Sequence, residues 1–190
     1  MKQLARAALH DSQAQGIDER FRTLDRWTFL MMQVFESKKF LDLAETTHGI
    51  RPQSSLDEVL TQQALYRSFL LAYGKCFTTS GKGRSSLDPH RVFGDDAHIR
   101  SVHQRIMELR HRFAAHNDSS GLDHAVIEVE ELDHEFVITQ RYALANPLHE
   151  YASYREAVRV LEEYAVDQIN RAIASLEKKL QKRVRVKRAG

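Results

Sequence analysis

Arg110, His111, Arg112 and His116 stand together in the stretch "IMELRHRFAAHND", Ile106 to Asp118. Between them they hold what cleavage of a phosphodiester requires. Histidine titrates near neutrality, so one ring can take and return a proton, while arginine stays charged and grips phosphate oxygens at two points. RNA hydrolysis needs no metal ion if a base activates the ribose 2′-hydroxyl and a cation stabilises the crowded phosphorane. Arg110 and His116 are the pair that suits this chemistry. The plainer alternative is an arginine whose stem lies along the core with its head in water, and a histidine that caps the last carbonyls of a helix.

The elements that must position these side chains can be read from periodicity. Residues 96 to about 115 read as a helix on which Ile99, Val102, Ile106, Leu109 and Phe113 fall in one narrow arc. On a wheel of about 100° per residue, Arg110 lies roughly 70° to one side of that arc and His116 roughly 50° to the other. Both border the buried face. His111 points nearly opposite the arc, and Arg112 sits about a quarter turn away, four residues before His116.

Upstream, Phe21, Leu24, Trp27, Leu30, Met31, Val34 and Phe35 predict a first long helix over 18–47, ended by Gly49 and Pro52. Ser55 with Glu58 is a capping box that opens a second, carrying Leu56, Val59, Leu60, Ala64, Phe69, Leu70 and Tyr73. Thr78 to Pro89 has loop composition, with Asp88 before Pro89 starting a short helical turn, and "FGDDAH" supplies a stop and a new cap. Residues 124–144 change rhythm: β-branched and aromatic residues on either side of Leu132, Asp133 and His134 predict a β-hairpin. A further capping box, Ser153 with Glu156, opens the last long helix, whose apolar stripe runs from Ala157 to Leu180. The expected fold is mainly α: an antiparallel bundle of four or more helices with a hairpin between the third and fourth major helices.

The motif resembles the signature of the HEPN superfamily: an arginine, a polar residue directly after it, four more residues, then a histidine near the end of a bundle helix. Here these are Arg110, His111, the segment Arg112 to Ala115, and His116. "LAYGKCFTTSGKGR" and "VHQRIMELRHRFAAHND" are similar in character to HEPN proteins of the abortive-infection type, and the likeness in architecture spans about residues 20 to 180. The resemblance implies a homodimer with two motifs at its interface and, in many members, a metal-independent endoribonuclease of toxin–antitoxin or antiphage systems. Carried over, Arg110 stabilises phosphate, His116 acts as acid or base, and His111 fills the polar second position. Arg112 departs from the pattern as an extra cation; it either lowers the pKa of His116 or binds RNA phosphate. Other members have lost activity and only bind.

Further signals bound these readings. "TTSGKGRSS" lacks the frame of a nucleotide-binding P-loop and follows a helix, not a strand, so Lys82 and Arg84 are candidate RNA contacts or parts of a solvated turn. Asn117 joins them as a supporting candidate. His103 and His111 lie about 80° apart on the wheel without an obvious carboxylate between them, so neither metal nor cofactor is expected. Cys76, the single cysteine, allows no internal disulfide and reads as packed in an apolar helix end. The longest apolar cluster, "WTFLMMQVF", is far shorter than a membrane span, and nothing points to export, so a cytoplasmic protein is expected.

Residues 178–190 hold 7 of the 28 basic residues and no acidic ones, leaving 21 basic against 26 acidic residues elsewhere. Such a tail serves as a soluble helix end or attracts RNA. One domain is expected over 1–182, with 183–190 as a basic tail. The first expectation for function is a HEPN-type RNA-cleaving or RNA-binding protein with a cognate antitoxin. The alternative is a non-catalytic helical protein-interaction module that uses the hairpin for contact.

Overall fold

A computed structural model describes residues 14–46, 55–78, 86–112, 123–144 and 148–186. Five helices and one hairpin are found among them: α1 (Ala14–Thr46), α2 (Leu56–Phe77), the short α3 (Pro89–Phe93), α4 (Ala97–Arg110), β1 (Asp123–Leu132), β2 (Glu135–Leu144) and α5 (Tyr151–Leu180). The protein is therefore mainly helical with an inserted antiparallel hairpin, as its periodicities predict.

Local chemistry starts α2, α3 and α4 where the sequence says. The Ser55 hydroxyl accepts from the Glu58 N–H at 3.3 Å while the Glu58 carboxylate accepts from the Ser55 N–H at 2.9 Å, the reciprocal capping box of α2. Asp88 caps α3 through the His90 N–H with Pro89 at the first helical position. Gly94 ends α3 at a φ of 57°, a conformation that suits glycine, and Asp96 accepts from the Ile99 N–H to start α4.

α5 begins differently from expectation. The chain enters it at Tyr151, through a 3₁₀ turn at Leu148–Glu150, so Ser153 lies inside the first turn and not at the cap. The reason is tertiary. Glu150 stands at the N-cap but makes no capping bond, because its carboxylate is held by Arg105 Nε and Nη2, both at 3.1 Å, and by the Tyr154 hydroxyl. Those contacts fix the start three residues early and leave a Ser153–Glu156 box without a helix end to cap.

The core lies between α1, α2, α4 and α5, with Val92 and Phe93 of α3 closing one end. Val34, Phe69, Leu70, Tyr73, Ile106, Leu109, Tyr154 and Leu161 are buried there, and rings of Tyr66, Phe69, Tyr151 and Tyr154 stack at 5.8–6.5 Å between centroids. A full burial of this kind stabilises by about 1.5–3 kcal/mol per large side chain. Phe35, Leu60 and Ala64, counted with the apolar stripes in sequence, face outward instead. α1 and α2 each carry more apolar residues than their neighbours can cover.

None of the hairpin side chains described, those of residues 127–139, lies in this core. Its strands pair in the register Asp123↔Leu144 to Leu132↔Glu135, with Asp133 and His134 at the turn. Alternation puts Ile127, Val129, Glu131, Phe136 and Ile138 on one face; Glu128, Glu130, Leu132, Glu135 and Val137 lie on the other. All of these side chains are exposed.

Candidate functional site

α4 positions the start of the motif. Ile99, Val102, Ile106 and Leu109 are buried as the wheel requires, which turns Arg110 onto the margin of the core and His111 and Arg112 into solvent. The last described turn, at His111 and Arg112, widens to π geometry, with the His111 N–H still donating to the carbonyls of Glu108 and Met107. Such turns commonly mark functional positions. A helix C-terminus is the negative end of the helix dipole and repels anions. Any phosphate bound here is therefore held by the arginines themselves.

Arg110 is half-buried, and α2 explains its posture. Its stem crosses Gly74 so closely that a Cβ at residue 74 would meet Arg110 Cδ at 2.4 Å, Nε at 2.6 Å and Cγ at 3.3 Å. Its Nε is buried and has no hydrogen-bond partner among the described residues. Glycine inside a helix costs about 1 kcal/mol relative to alanine, so an interior glycine calls for a packing reason. The stem of Arg110 is that reason. This combines both sequence readings, since the stem does lie along the core while the guanidinium keeps an unmet donor.

The remaining motif residues divide plainly. Arg110, His111 and Arg112 are described; His116, Asn117, Lys82 and Arg84 lie outside the described residues, as does Phe113. The separation of Arg110 and His116 is therefore an expectation from sequence alone. Glu108 is exposed and accepts from Gln104 Nε2 at 3.2 Å, in keeping with a surface charge.

His103, about two turns before Arg110 on the same helix, is a different kind of histidine. It is buried among Phe77, Phe93 and Tyr73, with ring centroids 4.4, 5.2 and 5.8 Å away, and its Nδ1 shares a hydrogen bond with the Tyr73 hydroxyl at 3.0 Å. Burial pushes its pKa down to about 4. A ring so held is neutral at physiological pH and serves packing. Cys76 is likewise buried, its thiol pushed up to about 12 by desolvation, with Glu36 adding to the effect, which makes it unreactive as a nucleophile.

Sequence reasoning missed two relationships. Gly74 carried a legible sign, an isolated glycine within the "LLAYGKC" pattern, but not the identity of its partner. The ion pair of Arg105 with Glu150 spans 45 residues and had no local sign. Among the described residues no group of three histidine, cysteine, aspartate or glutamate side chains could hold a metal ion, and no helix is long and apolar enough to cross a membrane. Set against protein-family profiles, curated proteins and solved structures, the chain matches none of them.

Proposed function

We propose that the protein is a HEPN-type, metal-independent endoribonuclease or RNA-binding protein of a toxin–antitoxin or antiphage system, working in the cytoplasm as a homodimer with a cognate antitoxin. The observation that carries the reading is Arg110: a guanidinium seated on Gly74 at the end of a bundle helix, with a buried Nε donor unmet among the described residues. A buried unmet donor on a charged group is costly, and a phosphate oxygen would satisfy both the charge and the donor. Exposed Arg112 and His111 stand beside it on the widened turn, and the sequence supplies His116 one further turn along as the acid or base.

The test is cleavage of RNA by purified protein in EDTA. Arg110→Ala and His116→Ala should each abolish cutting, and cutting that survives both overturns the assignment. A second reading, a helical interaction module, is favoured by the exposed apolar face of the hairpin. It is the one left standing if the native protein neither cuts nor binds RNA in the same assay.

A further inference from the structure

The last turn of α5 and the segment after it make a cationic end to the bundle. Lys178, Lys179, Lys182, Arg183 and Arg185 are all exposed there, and none has an ion-pair partner among the described residues. A helix C-terminus carries about half a negative charge, which Lys178 and Lys179 in the last turn already exceed. Lys182, Arg183, Arg185, Lys187 and Arg188 follow, more charge than a helix end can use. Glu177 is the one acidic residue from 168 to 190, and its Oε1 accepts from the Val184 N–H at 2.9 Å. With the left-handed turn at Gln181, that bond lays the chain back against the last turns of α5. Val184 is half-buried in this position, while Arg183 and Arg185 on either side of it are exposed.

Contacts along α1 place this end relative to Arg110. Arg20 donates to Ser175 at 3.0 Å, Lys38 pairs with Glu162 at 2.6 Å and Glu45 with Arg155 at 3.0 Å. α5 therefore runs antiparallel to α1, and its cationic end lies level with the first turns of α1. Gln62 donates to the Ala44 carbonyl at 3.4 Å, and Glu36 is close enough to Cys76 to raise its pKa. α2 is thus antiparallel to α1 as well, and Gly74, the seat of Arg110, lies level with the middle of α1. The two positions are about 20 Å apart along the bundle, at about 1.5 Å per residue.

We infer that the cationic end is a second RNA contact, which grips the phosphate backbone of a strand whose reacting bond lies at Arg110. The inference rests on the RNA reading of that site and supplies what the site lacks. The C-terminus of α4 repels anions, so a long RNA finds only the arginines there. Arginine suits phosphate, and each phosphate neutralised releases counterions whatever the base sequence. A membrane surface would ask for a broad exposed apolar face. Ile173, Leu176, Leu180 and Val184 are instead buried or half-buried, which leaves Val186 alone exposed among the large apolar residues of this end. A separation of about 20 Å corresponds to about six stacked nucleotides. The contact therefore holds the strand and takes no part in the chemistry at the reacting phosphate.

The experiment measures affinity of the full chain for an RNA of about 20 nucleotides by fluorescence anisotropy, in EDTA and over a range of salt. The RNA carries 2′-O-methyl groups, which remove the nucleophile and prevent cutting. Arg183→Gln with Arg185→Gln, changes outside every helix, should weaken binding about tenfold and make the log–log salt slope shallower by about 1.4. Arg155→Gln with Arg159→Gln removes the same charge from the opposite end of α5, where both arginines are paired with carboxylates, and should weaken binding less than about threefold. On unmodified RNA the tail variant should raise KM and leave kcat unchanged.

A tail variant that binds like the native chain, or a control that loses as much, overturns the inference and leaves the RNA reading standing. Tail-dependent binding without cutting upholds the contact and overturns the nuclease. No binding of RNA by the native chain overturns both. Retention of the native chain by phosphatidylserine vesicles or polyglutamate, with none by RNA, assigns the cationic end to another partner and overturns the inference.

Discussion

The methylene stem of Arg110 fills the space that any side chain at residue 74 would need, so two residues on different helices share one volume. Each makes the other intelligible: the glycine is a seat, and the arginine is held by backbone where a longer side chain would have pushed it away.

Gly74→Ala tests this sharing by stability as well as by activity. In the native background the gain in helix propensity, about 1 kcal/mol, is offset by displacement of Arg110. In an Arg110→Ala background the space is free, and the same change should stabilise by up to about 1 kcal/mol. Urea denaturation of the four proteins reads the difference. If RNA cleavage is present, Gly74→Ala should lower it at least about tenfold, the expected penalty for misplacing a phosphate-binding group. Equal effects on stability in the two backgrounds would show that the residues do not compete.

Stability should depend on pH through His103. Its folded pKa, about 4, lies below the ordinary value of 6.5, so the unfolded chain binds the proton more readily. The resulting stability is fully present above pH 6.5 and is lost as pH falls from 6.5 to 4, by up to about 3 kcal/mol. His103→Phe should remove this slope while costing about 1–2 kcal/mol at pH 7, because Tyr73 loses its partner. Denaturation midpoints at pH 7, 5.5 and 4 decide it; a slope unchanged in the variant would place its origin elsewhere.

Glu150 acts in a lower window. Burial pushes its pKa up, but hydrogen bonds from Arg105 and Tyr154 more than offset this and hold its carboxyl below the ordinary 4.5. The stability it contributes is therefore present above pH 4.5 and lost as pH falls further. Tyr154→Phe should cost about 1 kcal/mol and Arg105→Ala more, about 1–3 kcal/mol, since it strips a part-buried carboxylate of its cation. Thermal melts at pH 7 and pH 3 compare them, and a penalty for Arg105→Ala that persists undiminished at pH 3 would contradict the ion-pair account.

Excising the hairpin should leave the bundle standing. With residues 124–144 replaced by a short glycine–serine link, the melting temperature should move by no more than about 5 °C, because none of the core residues among the described ones is removed. A collapse of cooperativity would mean that the hairpin supports the bundle after all.

Much of this architecture was legible along the chain because its causes are local. The capping box of Ser55 and Glu58, the Asp88–Pro89 start, the alternation of the strands and the buried arc of α4 each arise from residues a few positions apart. What escaped depends on partners far apart in sequence. Ser153 and Glu156 satisfied a local rule that the grip of Arg105 on Glu150 overrode. Arg110 was placed correctly on its helix, but only the fold shows that Gly74 lies beneath it. The outward turn of Phe35 and Leu60 was hidden for the same reason, since a stripe shows its own width and not how much of it a neighbour will cover.

The clasp between Arg105 and Glu150 also bears on how quickly the chain can find its shape. These residues, 45 apart, meet in the folded chain, and the entropy of closing so long a loop opposes that meeting. A hairpin needs only neighbours to form and zips within about 1–10 μs. Once formed, it removes roughly half of the intervening chain from the search, a gain of about 0.6 kcal/mol in the closing step. A hairpin whose described side chains stay outside the finished core would thus shorten the route to it.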